Sequence, residues 1–525
     1  MSDVLTDSAP RAARPAEREL NGLRAPVAPA VNVGQAPAVA DVNGRQAPVV
    51  AEDDRLSPVE RLEALCDPGS LTLMRSDVLS SRMGGKSRAG DGVVTGTGRV
   101  DGRPVFCYAQ DASYLGGSLG EAHADSIVRV LQLAGRAGAP VVGFIESGGA
   151  RMQEGVAALG GYARIFREHV RLSGKVPQIS IICGASAGGG SYSPALTDFV
   201  IMTKRATMFL TGPAVVKEVM GEDVTAAKLG GPSVHDRNGV AHWVTDTDAD
   251  AALLARDLLD HLPAGSSAPA PRWRPVPAPG VSLADVVPAD DRKVYDVRNV
   301  IKALVDGGRM LEWAPRWARN IVCGFARMDG RSVGVIANQP KHMGGVLDAD
   351  SGTKAAKFVR TCNAFGLPLV VLVDTPGFMP GTKQESIGVI RHGAKLVHAF
   401  AEASVPKVTL VMRKAFGGAF IAMNSRDLGA DYTFAWPQAQ IGVMGANQAV
   451  TILNRREIAE AEDPATCRKD LAEVYAAEHL SASVASSQGY IDEIVMPDDT
   501  RRRFIEALTT LDGMASPAGI RNIPL

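Results

Sequence analysis

At 525 residues the chain exceeds one ordinary domain and has room for two or three cores of about 150–250 residues each. Its 56 basic and 57 acidic side chains give a formal charge of −1, which removes the electrostatic footprint that a general nucleic-acid binder needs. No stretch approaches the roughly 18–20 unbroken apolar residues that span a bilayer, so a soluble protein with no membrane partner is expected.

Residues 1–55 are rich in Ala, Pro and Val without helical or strand period, and they are predicted to form a disordered tail. Asp3, Asp7, Glu17 and Glu19 are mixed with Arg11, Arg14, Arg18 and Arg24, and there is no apolar h-region. That pattern argues against a targeting peptide and for a cytoplasmic protein. A first domain is expected over 56–262, in which Val141 to Ile145, Gln178 to Cys183, Phe199 to Met202 and Met208 to Leu210 read as strands. Helices are expected near Leu119 to Ala137 and Gly155 to Leu172. A Pro/Ala-rich linker follows at 263–290, and a second domain at 291–525. There the strands are Leu369 to Val373, Val408 to Met412 and Tyr432 to Ala435, with a helix from about Glu385 to Ala403. Strands buried on both faces and joined by helices imply an α/β fold of repeated β-β-α units. The six cysteines form no CxxC pair and the nine histidines no HExxH or HxxxH pair, so no metal site is expected.

The two halves resemble each other. Asp101-Gly102-Arg103 returns 228 positions later as Asp329-Gly330-Arg331, and Glu146-Ser147-Gly148-Gly149 returns at the same offset as Asp374-Thr375-Pro376-Gly377. Val176-Pro177-Gln178 matches Val405-Pro406-Lys407, and Ala187-Gly188-Gly189-Gly190 matches Phe416-Gly417-Gly418-Ala419, both at 229. The shared order of features marks a duplicated domain.

Gly184-Ala-Ser-Ala-Gly-Gly-Gly-Ser191 follows a buried strand and precedes a helix-compatible stretch, so its backbone N–H groups can point at one small volume. Without a Cβ in the way, a ligand oxygen can approach Gly188, Gly189 and Gly190 closely. A tight packing turn is the alternative reading of one such segment. The second half repeats it at Ala415-Phe-Gly-Gly-Ala-Phe420, and two such turns suit a reaction in which two oxygens become negative. No Lys-Ser/Thr follows either set of glycines, GxGxxG spacing is absent, and Ser186 has no evident base partner. Nucleotide hydrolysis, hydride transfer and serine hydrolysis are poor candidates.

Glu146-Ser-Gly-Gly-Ala-Arg-Met-Gln-Glu-Gly155, Tyr192-Ser-Pro-Ala-Leu-Thr-Asp198, Asp374-Thr-Pro-Gly-Phe-Met-Pro-Gly381, Ile390-Arg-His-Gly-Ala-Lys395, Ala415 to Phe420 and Asn522-Ile-Pro-Leu525 resemble the acyl-CoA carboxylase β-subunit family. The resemblance runs from about residue 57 to the end. It implies two tandem crotonase-like domains, usually assembled as a hexamer whose active sites lie between the N-terminal domain of one subunit and the C-terminal domain of another. It further implies carboxyl transfer from carboxybiotin, carried by a biotinylated α subunit, to the α-carbon of an acyl-CoA. Gly188, Gly189 and Gly190 would hold the thioester oxygen, and Gly417, Gly418 and Ala419 the ureido oxygen of biotin. If a biotin nitrogen takes the α-proton, no protein base is required, consistent with the lack of a His/Asp or paired-carboxylate constellation.

Gly148, Gly149, Ala150 and Arg151 are candidates for orienting the CoA thioester, with Glu154 beside them, while Lys86 and Arg88 could meet CoA phosphates. Interface, capping or solvated-loop roles compete at Arg151, Glu154, Lys86 and Arg88. Phe378, Pro380, Gly381 and Phe420 are candidates for the biotin pocket. Position 421 is typically Asp in propionyl-preferring relatives and is Ile421 here, so the expected substrates are acetyl-, propionyl- or longer acyl-CoA, with acceptance of acetyl-CoA or longer chains anticipated and no specificity for propionyl-CoA assumed. A decarboxylase subunit running the reverse transfer is the nearest rival, and a non-catalytic CoA-binding scaffold a more distant one. With no ATP-grasp pattern and no Met-Lys-Met, biotin carboxylation and carriage fall to another polypeptide.

Overall fold

The computed structural model describes residues 55–513 and 521–523, so the predicted tail, apart from Arg55, and Pro524-Leu525 of the terminal motif lie outside the described residues. Two eight-stranded sheets share one topology. The first holds β1 Thr72–Met74, β2 Val93–Val100, β3 Arg103–Gln110, β4 Val141–Ser147, β5 Gln178–Ala187, β6 Phe199–Thr203, β7 Thr207–Phe209 and β8 Trp243–Thr245. Their order is β1-β2-β3-β4-β5-β6-β8, with β7 added beside the end of β5. The second holds β9 Met310–Trp313, β10 Ile321–Met328, β11 Arg331–Asn338, β12 Leu369–Thr375, β13 Lys407–Phe416, β14 Tyr432–Ala435, β15 Gln440–Gly442 and β16 Glu493–Ile494, in the corresponding order with β15 beside β13. Strands β1 to β3 and β9 to β11 run antiparallel to their neighbours, and pairing is parallel from β3 and β11 onward.

The hairpins β2–β3 and β10–β11 turn on Asp101-Gly102 and Asp329-Gly330. All four residues have positive φ, from 49° to 76°, as a two-residue turn that matches strand twist requires. Helix Glu121–Ala137 buries Ala124, Ile127, Val128, Leu131 and Ala134 along one face and stops where Gly138 takes φ 63°. Along β4, Val141 and Ile145 pack with Ile127, Leu131 and Ile165, whereas Val142 and Phe144 pack on the opposite face with Leu62, Leu65 and Leu258. Covering both faces explains why the strand is continuously apolar. The helix expected from Glu385 is broken: Thr382–Ser386 and Val389–Glu402 are separate, because Gly388 sits at φ 79° between them.

The halves share a core. Phe199, His242, Trp243 and His261 of the first meet Trp313 and Phe325 of the second, with ring centroids 5.9 Å apart for Phe199–Phe325 and 4.7 Å for His242–Trp313. The Trp243 indole N–H donates to the Glu312 carbonyl at 2.7 Å. The segment between the halves is tied down as well: Trp273 N–H donates to the Gly330 carbonyl at 2.9 Å, and the Arg327 guanidinium lies 4.8 Å over the Trp273 ring. Five of the six cysteines are buried as free thiols. Among the described residues no helix is long and apolar enough to cross a membrane.

Candidate active site

Each sheet's central strand ends in a glycine turn. β5 runs to Ala187, Gly188 turns with φ 57° and ψ −122°, and the helix Gly189–Ala195 begins at once. A Cβ at Gly189 would stand 2.7 Å from the Tyr162 ring, so the chain approaches that ring only as glycine. N–H groups in the first turn of a helix have no intrahelical acceptor, which leaves those of Gly189 and Gly190 to an incoming oxygen. The helix is held from behind by the buried His169, whose Nε2 lies 3.0 Å from Ser193 Oγ and whose Nδ1 lies 2.8 Å from Gln178 Oε1. Burial pushes this histidine down to about 4, so it is a neutral support. In the second half β13 ends at Phe416, Gly417 takes φ 60°, and the helix Gly417–Ala422 follows. Gly418 is exposed, and a Cβ there would meet nothing nearer than the Phe378 ring at 3.8 Å. Ala419 is buried, and its carbonyl accepts the Met423 N–H at 3.0 Å.

A second pair of loops meets these turns. Leu115-Gly116-Gly117 has φ of 52°, 63° and 67°, and Gly117 presses so close to the Glu146 carbonyl oxygen that a Cβ would lie 2.1 Å from it. Met343-Gly344-Gly345 has φ of 52°, 64° and 77°, and a Cβ on Gly345 would lie 2.5 Å from the Asp374 carbonyl oxygen. Leu119 and Leu347 then bridge to the loops after β4 and β12: Leu119 N–H donates to the Gly149 carbonyl at 2.8 Å, and Leu347 N–H to the Gly377 carbonyl at 3.0 Å. The Leu-Gly-Gly and Met-Gly-Gly segments stand 228 positions apart, a signal that was legible as part of the repeat.

Gly148, Gly149 and Ala150 lie in the loop next to the first turn, where a Cβ on Gly149 would stand 3.3 Å from the Ala187 carbonyl oxygen. Phe378 packs across Gly418 and Gly393, Phe420 is half-buried toward the core, and Pro380 and Gly381 are exposed ahead of helix Thr382–Ser386. Ile421, on the second turn's helix, is 50% exposed. Arg151, for which CoA contact and a structural role were both open, lies beneath the loop. It is fully buried, and its guanidinium is committed to Asp91 at 2.6 Å, Glu154 at 2.8 Å and the Ser118 carbonyl at 2.9 Å. In this arrangement the side chain braces the loop from beneath. Glu154 belongs to the same cluster and also accepts from Ser80 Oγ and the Glu121 N–H. Replacing Arg151 by Met would strand two buried carboxylates and is expected to cost about 3–5 kcal/mol, read by denaturant unfolding. Lys86 is exposed, whereas Arg88 already pairs with Asp111 at 3.1 Å. Large apolar side chains stand exposed on the elements flanking both turns: Met152, Val156, Leu159, Tyr192 and Leu210 in the first half, Ile387, Ile390 and Val443 in the second.

The carboxyl transferase domain model matches residues 50–516. The chain belongs to that family. It is similar to the methylmalonyl-CoA carboxyltransferase 12S subunit of Propionibacterium freudenreichii subsp. shermanii, at 50% identity over 421 residues covering 80% of each chain. The biotin-dependent acetyl-/propionyl-coenzyme A carboxylase beta5 subunit of Mycobacterium tuberculosis is 44% identical over 494 residues, 90% of each chain. Among solved structures, the transcarboxylase 12S hexamer with methylmalonyl-coenzyme A and methylmalonic acid bound superposes with a TM-score of 0.85 at 46% identity, covering 90% of this chain and 93% of that one. This carboxyl transferase therefore has two tandem crotonase-like domains and is a carboxyltransferase of the biotin-dependent acyl-CoA carboxylase class.

Proposed function

We propose that the chain transfers a carboxyl group from carboxybiotin to the α-carbon of an acyl-CoA to give a malonyl-CoA-type product, acting in the cytoplasm with a biotinylated α subunit. The observation that carries this reading is the duplicated glycine turn, one per sheet, each at a helix start beside a second glycine loop. Carboxybiotin, held by the partner, supplies the activated carboxyl group. The N–H groups of Gly189 and Gly190 would hold the thioester oxygen as negative charge develops on it, and those of Gly418 and Ala419 would hold the ureido oxygen. Phe378, with Pro380, Gly381 and Phe420 around it, offers an apolar wall on the biotin side. The exposed apolar residues flanking each turn support burial of both against other subunits, in a hexamer like that of the related transcarboxylase 12S.

Ile421 places a branched apolar group beside the second turn, which favours acetyl-CoA or longer acyl chains. Ile421→Asp is expected to raise the propionyl-over-acetyl ratio of kcat/KM by about 10-fold or more, the scale of a pocket differing by one small group. Strict propionyl selectivity that this substitution leaves untouched would overturn the assignment.

The direct test is fixation of [¹⁴C]bicarbonate by the purified chain with a biotinylated α subunit and ATP, across acetyl-, propionyl-, butyryl- and octanoyl-CoA. Acid-stable label only when both proteins are present is the expected result. No label with any thioester, despite an α subunit shown to carboxylate its biotin, would point instead to reverse transfer or to a scaffold.

A further inference from the structure

The two glycine turns hang from the same irregularity in the sheet. β4 and β5 pair in step from Val141–Gln178 to Ile145–Ile182, and the next pair is Ser147–Ser186. β12 and β13 pair in step from Leu369–Lys407 to Val373–Val411, and the next is Thr375–Ala415. In both cases three residues of the strand bearing the turn oppose one residue of its neighbour. That one residue is Glu146 in the first sheet and Asp374 in the second, both buried. From the last bulged residue each strand changes partners: β5 leaves β6 and pairs Ala185–Ala187 with β7, and β13 leaves β14 and pairs Lys414–Phe416 with β15. The turn begins one residue later.

The buried carboxylates occupy the bulges. Asp374 Oδ1 accepts the Lys414 N–H at 3.3 Å from inside the bulged segment, while Oδ2 accepts Arg413 Nε at 2.8 Å and the Tyr295 hydroxyl at 2.9 Å. In the first sheet the position facing the carboxylate is Gly184, where a Cβ would stand 2.2 Å from Glu146 Oε1. The counter-charge there comes from Arg61 at 2.9 Å and Arg55 at 2.5 Å. In both sheets the backbone N–H of the carboxylate residue is held by a side-chain amide oxygen at the end of the adjoining strand, Gln110 at 3.1 Å and Asn338 at 3.2 Å. One geometry is thus kept with two different sources of positive charge. A bulge redirects the strand that carries it, and in the second sheet the carboxylate bonds the bulged backbone directly at Lys414.

We infer that Glu146 and Asp374 are positioning residues, each aiming one glycine turn: Glu146 the acyl-CoA turn and Asp374 the biotin turn. The inference rests on the assignment of the two turns given above. The test is transfer of the carboxyl group from malonyl-CoA to free biotin by the whole chain in its native assembly, with KM measured separately for each substrate. Glu146→Gln is expected to raise the malonyl-CoA KM about 10-fold and leave that of biotin unchanged; Asp374→Asn is expected to do the reverse, with kcat lowered in both. Gly184→Ala, which displaces the Glu146 carboxylate without removing it, and Tyr295→Phe, which removes one bond to Asp374, should reproduce the two patterns more weakly if the charge-removing variants fail to fold. Equal effects of both variants on both KM values, or no effect at all, would overturn the positioning role. Absence of transfer by the unaltered chain would instead remove the functional assignment on which it rests.

Discussion

Gly418→Ala is expected to lower carboxyl transfer by about 10²–10³-fold, the loss associated with disabling one oxyanion donor site, while leaving the melting temperature unchanged or slightly raised. The two outcomes separate because of local geometry. Position 418 is exposed and has no left-handed φ, and an added methyl meets nothing nearer than the Phe378 ring at 3.8 Å. The fold therefore tolerates it, and glycine to alanine near a helix start is neutral or favourable by at most about 1 kcal/mol. The methyl would stand on the open side of the turn, beside the ring proposed to face biotin, and keep a ligand oxygen from closing on the N–H groups. Gly189→Ala is a poorer probe because its Cβ would collide with Tyr162 and confound folding with chemistry. Steady-state kcat/KM together with a thermal melt decides the matter, and undiminished transfer by a folded variant would show that the ligand oxygen lies elsewhere.

Stability should fall steeply below pH 6.5. Burial pushes His123, His242 and His261 down to about 3 and His169 down to about 4, with Arg151 adding to the shift at His123, Lys357 at His242, and Arg327 and Arg309 at His261. All four are neutral in the native state over the range in which an unfolded histidine, near 6.5, takes up its proton. The unfolded chain then binds more protons than the native one, so stability is retained above about pH 6.5 and lost as pH drops. Four such groups amount to about 5 kcal/mol at pH 5.5 relative to pH 8. Asp198 works the other way, since burial raises it to about 6, but one group offsets under about 1 kcal/mol at pH 5.5. Thermal or urea unfolding at pH 8 and 5.5 measures the difference, and a stability independent of pH over that interval would mean that these histidines open to water.

Much of the fold was legible because the duplication repeats its punctuation. The apolar runs at β4, β5, β12 and β13 announce strands buried on two faces, and the glycines after β5 and β13 announce strand-to-helix turns. The antiparallel strands were less visible: Asp101-Gly102 and Asp329-Gly330 served as landmarks of the repeat, yet they are also the two-residue turns that pair β2 with β3 and β10 with β11. Arg151 was open to a ligand or a structural role, and nothing local reveals that Asp91, 60 positions earlier, meets it under the loop. The bulges at Glu146 and Asp374 were hidden for the same reason. A strand's register depends on which neighbour it pairs with, and the change of partner from β6 to β7, or β14 to β15, is written in no single segment.

The shared aromatic core bears on the history of such a chain. The two domains are not independent bodies, since Phe199, His242 and Trp243 pack against Trp313 and Phe325 and would be bared to water if either domain stood alone. Each copy has thereby become part of the other's interior. The outward faces can change one domain at a time, while the seam between them admits only changes that both accept together.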